Sequence, residues 1–562
     1  MLMWGLIVLP LIGALITALR PGRHAAATAT VATIITFLAS IAAAVQFEHW
    51  SGGGFSDPVG VDWLGMLGIS LTLSADSVSM LLVLLTTLLM PLCVIGSYTG
   101  ITSRRREYYT WMLVLEAAMV GVFLAKDLIL FYICFEFTLV PMFFLIAIYG
   151  GENRGAASIK FFIYTFTGSM ITLAGLLYVA WRQSIAGDGW TFDIPTLTAF
   201  VTDPEVGLAG GEQALVLFAL MAGFAVKVPL FPVHTWLPLA HTEAPTAGSV
   251  ILAGVLLKLG TYGLYRFVLP MVPDAVIEYA PFIAVLSIIG ILYAALICWV
   301  QDDVKKLIAY SSVSHLGFCV LGLFALNPMG LQGSVLYMLN HGLSTGALFF
   351  LVGMMYERYH TRDMNVIGGL SKKMPVWAFF MVFFVLSSVG LPGLNGFVSE
   401  FLCLIAAFTA DAEHPAYPGV LGPWYGAFAG AGMILAAMYL LIMVGKVVFG
   451  PLKEPADASH HGDDHAHLPA DLTWREIGVL TPLAILCVYI GVQPGPLMRA
   501  MDEPIAAVLA QYPERIEAHH AAMMAKEEAD ETRDVALVEW PARGTDLAAG
   551  TESAKGEDGR DG

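Results

Sequence analysis

Residues 223–232 read Gly-Phe-Ala-Val-Lys-Val-Pro-Leu-Phe-Pro, a lysine inside an apolar run with prolines at 229 and 232. Proline has no backbone donor and its ring clashes with the preceding turn, so a helix arriving at Lys227 is expected to break there. The rest of the chain decides its solvent. Of 562 residues, 57% are hydrophobic and 13% charged, whereas soluble domains carry charge on about a quarter of their residues. Apolar runs of the roughly 20 residues that one helical crossing of a bilayer needs recur from Leu2 to Leu19 onward. The expected fold class is therefore all-α, a polytopic membrane protein. A break at Lys227 then frees backbone groups at membrane depth, which is tolerated only where protein or a hydrated cavity receives them.

Apolar windows punctuated by Gly, Pro and charge predict fourteen transmembrane spans. They lie near 2–19, 26–46, 77–99, 108–125, 128–149, 158–181, 212–233, 245–267, 275–299, 304–325, 331–356, 375–410, 424–448 and 474–493, and are numbered 1 to 14 in that order. A second break is expected in span 12, where residues 391–396 read Leu-Pro-Gly-Leu-Asn-Gly. The basic loops test the count, because cytoplasmic loops concentrate Lys and Arg. The loops after spans 1, 3, 5, 9, 11 and 13 hold sixteen basic residues, and the intervening ones hold Lys126, Arg182 and Arg266. The chain is thus expected in a bacterial inner membrane with both termini on the periplasmic side. Phe47 to Ala75, rich in Gly and Asp with alternating apolar residues, predicts an outer hairpin or loop.

The net charge of -17 says little about the bundle, since residues 501–562 hold 15 acids against 6 bases. Glu503 to Asp534 is read as a helix-forming run in an acidic, partly disordered tail. No basic residue precedes the first apolar run, so a cleaved signal peptide is not expected. The six cysteines stand singly in apolar runs, without the paired spacing of a metal or cluster site. His-His-Gly-Asp-Asp-His-Ala-His at 460–467 has ligand-type residues but falls in a loop, so no metal site is expected, and Asp302-Asp303 beside Lys305-Lys306 reads as a solvated helix start.

Four charges remain deep inside spans: Glu136 in span 5, Lys227 in span 7, Lys258 in span 8 and Glu400 in span 12. Each costs at least about 2.5–3.5 kcal/mol at mid-bilayer on insertion scales. Buried pairs can lock helices together, but Lys227 and Glu400 both stand at breaks, where water reaches them and protons gain a route. Three histidines extend the polar line: His234 just past the first break, His315 in Ser-Ser-Val-Ser-His-Leu-Gly and His341 in Leu-Asn-His-Gly-Leu-Ser. Histidine titrates near neutrality and passes a proton between its two nitrogens. These seven residues are the candidates for proton translocation and relay.

Lys-Val-Pro-Leu-Phe-Pro-Val-His-Thr-Trp-Leu-Pro (227–238), then His241, Glu243, Ala-Pro-Thr-Ala-Gly-Ser (244–249) and Lys258, closely resembles the signature of the antiporter-like subunits of complex I and of multi-subunit cation/proton antiporters. So does Asp-Val-Lys-Lys-Leu-Ile-Ala-Tyr-Ser-Ser-Val-Ser-His (303–315). The resemblance covers spans 3 to 13 and implies two inverted five-helix repeats, spans 4–8 and 9–13, each with one broken helix. The domains expected are 1–107, 108–267, 268–450, 451–493 (inner loop and span 14) and 494–562 (tail). By the resemblance, Glu136 is the acid that pairs with the broken-helix lysine Lys227, Lys258 the connecting lysine and Glu400 the terminal residue of the second half-channel. L- and N-type subunits and the D-type antiporter subunit usually carry lysine at that last position, so Glu400 points to the M type. The strings around Arg154 and His341, and the absence of a long amphipathic lateral helix after span 14, agree; the polar tail after about Asp502 departs from the pattern.

The resemblance implies a proton-translocating, non-redox membrane subunit of NADH-quinone oxidoreductase. Lys227, held charged by Glu136, gives up its proton when that pair loosens, because an unpaired buried ammonium is costly; the proton then passes through Lys258 and the histidines to Glu400. The chain has no Gly-rich dinucleotide fingerprint and no cluster cysteines, so no cofactor is expected in it, and NADH, FMN, iron-sulfur clusters and quinone are assigned to partner subunits. Expected partners are other complex I membrane subunits, especially L- and N-type neighbours, and membrane lipids, with no nucleic acid. The alternative is a subunit of a multi-subunit sodium/proton antiporter, with a membrane-bound hydrogenase subunit third.

Overall fold

A computed structural model describes residues 2–50, 55–187, 189–412, 414, 419–455 and 471–538, with side chains through residue 530. The string at 460–467 lies outside the described residues. Thirteen helices are long and apolar enough to cross a bilayer: Leu2–Leu19, Gly22–Val45, Ser77–Gly96, Arg105–Leu124, Leu128–Tyr149, Arg154–Ala186, Gly210–Lys227, Thr246–Met271, Pro273–Trp299, Val304–Phe324, Pro328–Tyr359, Pro423–Val447 and Trp474–Val492. A further crossing is made by two short apolar helices, Pro375–Val389 and Asn395–Thr409, which together are the broken span 12. These match spans 1 to 14 in order, and the chain is an all-α polytopic membrane protein. The spans differ in exposure: 1 and 2 bury only one stripe, as a lipid-facing helix does, while 8, 10 and 11 are buried nearly all round and form the core.

Within the segment expected as an outer hairpin or loop, β1 (Val59–Leu64) pairs antiparallel with β2 (Ile69–Leu73). It is pinned to the start of span 1 by the Trp4 indole, which donates to the Val59 carbonyl at 3.1 Å. Beside it, Asp76 caps span 3 by accepting from the Ser79 amide at 2.8 Å and pairs with Arg266 at 2.5 Å. Arg266, which the loop count treats as an exposed base, is instead buried at the end of span 8 with its charge matched.

After span 14, the helix Gly495–Leu509 turns Met501, Ile505 and Val508 inward against spans 3 and 11. The Tyr512 hydroxyl donates to the Leu269 carbonyl at 2.6 Å, and Arg515 pairs with Asp274 at 2.5 Å. The polar reading after Asp502 is corrected here: apolar residues at 501, 505, 508, 509, 512 and 516 keep helical spacing, so the chain stays packed through Ile516. From Glu517 a separate unit begins, whose described part continues the helix Tyr512–Val538 and is largely exposed through residue 530.

Candidate functional site: a buried Lys–His–Tyr–Glu line

Span 7 ends as a helix at Lys227 and resumes only at Leu237–Glu243. Pro229 cannot supply an amide, so the Ala225 carbonyl is taken by the Leu230 amide (2.8 Å) and the Val226 carbonyl by the Trp236 indole (2.9 Å). The break therefore satisfies its own freed acceptors and leaves the Lys227 amine to neighbouring side chains. Lys227 is buried; its Nζ donates to the Thr138 hydroxyl at 3.3 Å and lies 4.2 Å from the centre of the Phe135 ring. Glu136, on the same turn of span 5, is only half-buried and acts on Lys227 at electrostatic range, with no direct ion pair joining them. The expected contact pair is thus a spaced one, with Thr138 and Phe135 between.

Span 8 passes directly against this break at Gly260, where a Cβ would sit 2.8 Å from the Val228 amide nitrogen. One half-turn before it stands Lys258, wholly buried. Wide, π-type turns flank the lysine at Leu252–Leu256 and Leu264–Val268, and such turns leave carbonyls free of the regular helical ladder. The Lys258 Nζ takes one of them, donating to the Ala253 carbonyl, and reaches His341 Nδ1 on span 11 at 2.7 Å.

The line continues. The His341 and His315 rings are 6.1 Å apart between centres. His315 Nδ1 lies 2.7 Å from the Tyr337 hydroxyl and 3.4 Å from Glu400 Oε1, and Tyr337 donates to that same oxygen at 2.9 Å. The partners constrain the tautomers. The tyrosine proton committed to Glu400 leaves His315 to donate from Nδ1, while the His341 ring faces both the Lys258 amine and the Ala253 carbonyl, so its Nδ1 can donate or accept. Both Nε2 atoms are buried without a hydrogen-bond partner among the described residues. The two rings thus stand in line with one such unpartnered nitrogen apiece.

Glu400 owes its place to the second break. Gly390 and Gly393 adopt φ of 81° and 94° after Val389, a region open to glycine. A Cβ on Gly390 would meet Glu400 Oε2 at 2.7 Å. The restarted helix is held by Asn340 of span 11, which donates to the Asn395 carbonyl at 2.8 Å and to the Ser399 hydroxyl at 3.0 Å.

Of the seven candidates, the structure gathers Lys258, His341, His315 and Glu400 into one line and keeps Lys227 with Glu136 beside it. It does not bring in His234, which packs on Phe231 and Tyr293 with its Nδ1 unpartnered among the described residues. Three buried polar residues in or near the site escaped the sequence reading. Tyr337 carries no charge and gave no signal. Glu116, in Val-Leu-Glu-Ala-Ala within span 4, is an intramembrane acid that the same cost argument should have flagged. Lys305 resembles a loop base, yet its Nζ is buried against the span 7–8 turn, donating to the Ala244 carbonyl at 2.6 Å. The solvated-start reading holds for its neighbour Asp303, which caps span 10 and pairs with Arg362 at 3.4 Å.

Lys305 also lines a vestibule of about 1820 Å³ on the face of the basic loops, with Thr99, Tyr108, Glu243, Asp303 and Glu357 among its walls. Next to Lys305 in the span 7–8 turn, His241 is fully buried, stacked on Phe349 with ring centres 4.6 Å apart and both nitrogens unpartnered among the described residues. No group of three or more His, Cys, Asp or Glu residues able to hold a metal occurs among the described residues.

Residues 125–422 match the family described as NADH:quinone oxidoreductase/Mrp antiporter, TM. The chain is 41% identical over 498 residues to NADH-quinone oxidoreductase subunit M of Rhodobacter capsulatus, covering 87% of this chain and 91% of that protein. Among solved structures it is similar to a chain of respiratory complex I from Thermus thermophilus with bound NADH, at 27% identity and a TM-score of 0.78, covering 91% of this chain and 100% of that one. The Mrp complex from Dietzia sp. DQ12-45-1b shares the fold at 22% identity and a TM-score of 0.76, over 92% of this chain and 99% of the other.

Proposed function

Given that the chain belongs to the NADH:quinone oxidoreductase/Mrp antiporter transmembrane family, as an M-type, proton-translocating membrane subunit of respiratory complex I, we propose that it moves protons through the Lys258–His341–His315–Tyr337–Glu400 line without redox chemistry of its own. Lys227, facing Glu136 across Thr138, feeds that line when the electrostatic grip of Glu136 weakens. The proton passes along span 8 to Lys258, enters His341 at Nδ1, leaves from Nε2 to His315 Nε2, and reaches Glu400 through Tyr337. The observation that carries the reading is the run of close contacts from Lys258 through His341, His315 and Tyr337 to Glu400.

The roles of these residues follow from this order: Glu136 biases, Lys227 and Lys258 load, His341 and His315 relay and Glu400 discharges. His234, apart from the line, serves the hydrated turn of span 7. Partners are other complex I membrane subunits, with L- and N-type neighbours on either side delivering the coupling signal electrostatically. NADH, FMN, iron-sulfur clusters and quinone stay in partner subunits. The membrane is the bacterial inner membrane, with the vestibule on the cytoplasmic side and both termini outside, as the alternation of basic loops supports.

Gentle extraction of native membranes, with capture of the tagged chain, is expected to bring down NADH:quinone activity in a large complex. Recovery with a few small membrane proteins and no such activity would replace this reading by the cation antiporter one. Tyr337→Phe tests the relay: it removes the hydroxyl between His315 and Glu400. A hydrogen bond to a charged group contributes about 1.5–3 kcal/mol, and each 1.4 kcal/mol is about tenfold in rate. Proton flux through the subunit should fall at least about tenfold by that conversion, read by a pH-sensitive dye in vesicles with NADH oxidation recorded in parallel.

A further inference from the structure

Glu116 stands outside the line just described. It lies in the middle of span 4, is 0% exposed, and neither of its carboxyl oxygens has a hydrogen-bond partner among the described residues. A carboxylate with neither donor nor cation is costly in so apolar a place, so the group rests as the neutral acid. Toward the basic-loop face, the elements around it carry polar groups unpartnered among the described residues. Tyr109, seven residues earlier on the same helix face, has a buried hydroxyl without a partner among the described residues, about 10 Å nearer the basic-loop face at 1.5 Å per residue. Span 1 runs antiparallel to span 4, with Gly13 against Leu113, so Thr17 is level with Tyr109, and its hydroxyl is likewise unpartnered among the described residues.

On span 3, the Cys93 thiol lies 4.0 Å from the Ala247 carbonyl and within electrostatic reach of Glu116. Ala247, Ser97 and Tyr108 all line the vestibule. A polar seam thus runs from the vestibule toward one buried acid.

We propose that Glu116 is a further proton-binding site of this subunit, filled from the vestibule through the Tyr109–Cys93 seam and emptied during turnover. The proposal rests on the pumping role given above. It adds a carboxyl that takes up and releases one proton, with no other bond made or broken. Held opposite spans 1 and 3, the site gives the first repeat an acid that the Lys227–Glu136 pair does not supply.

The test uses the intact complex. Infrared difference spectra of oxidised against NADH-reduced enzyme are recorded for wild type, Glu116→Gln, Glu116→Asp and Lys227→Ala. A protonated-carboxyl C=O band that changes on reduction is expected in wild type, lost in Glu116→Gln, shifted in Glu116→Asp, and present in Lys227→Ala. Protons pumped per electron should fall in Glu116→Gln and recover in part in Glu116→Asp. A Glu116→Gln enzyme with wild-type bands overturns the proposal, as does a Glu116 band that ignores turnover. Failure of Glu116→Gln to assemble also overturns it, because an isosteric neutral amide must fit where a neutral acid rests. If Lys227→Ala pumps like wild type, the pumping route proposed above falls instead.

Discussion

Lys258→Leu is expected to give an assembled complex that oxidises NADH but no longer pumps through this subunit. The substitution puts an apolar side chain of similar volume in a wholly buried position, so no large cavity opens. What is lost is the titratable side chain of span 8 that hydrogen-bonds His341, and His341 leads to His315 and Glu400. Positioned proton transfer contributes about 10²–10⁴-fold to rate, so flux through the line should drop by at least about 100-fold. Proton-to-electron stoichiometry in vesicles measures it. An unchanged ratio in assembled Lys258→Leu enzyme would show that protons travel elsewhere.

The second large effect is at the break in span 7. Lys227→Ala should assemble, because the break satisfies its own carbonyls through Leu230 and Trp236, yet lose much of the pumping. Lys227→Arg sharpens the result. A guanidinium keeps the positive charge beside Glu136 and over Phe135 but does not give up its proton. If charge alone mattered, Lys227→Arg would pump and Lys227→Ala would not; the relay requires both to fail. The same stoichiometry assay, with complex content checked by native electrophoresis, separates the two, and wild-type pumping in either variant sinks the relay through Lys227.

How much of this was legible beforehand depends on what kind of signal each residue left. The breaks at Lys227 and at 391–396 were readable because Pro and Gly act through backbone sterics alone, wherever they stand. Glu136, Lys258 and Glu400 were readable because charge in an apolar run is costly in any bilayer fold. The same rule applied to span 4 would have found Glu116. Tyr337 was not readable, since a tyrosine in an apolar span packs or bonds according to what faces it. His234 and His315 look equally promising as single letters, and packing separates them: one faces Phe231 and Tyr293, the other Tyr337 and Glu400.

Lys305 and Arg266 show the limit of loop counting, because each lies near the end of a span by sequence and is nonetheless buried, one against the span 7–8 turn and the other against Asp76. The C-terminal segment shows the opposite error, where net acidity hid a helical apolar stripe through Ile516.

The sequence by itself determined the solvent, the number and order of the spans, the two breaks and the buried charges, because hydrophobic length, missing amides and the cost of desolvation are properties of a segment and its medium. Only the tertiary structure decided which charges touch, which side chains the histidines face, that the Lys227 amine meets Thr138 and Phe135, and that a tyrosine closes the line to Glu400. Those depend on the rotation and depth at which spans 5, 7, 8, 10, 11 and 12 meet, and a hydrogen bond that fails beyond about 3.5 Å is settled by packing rather than by composition.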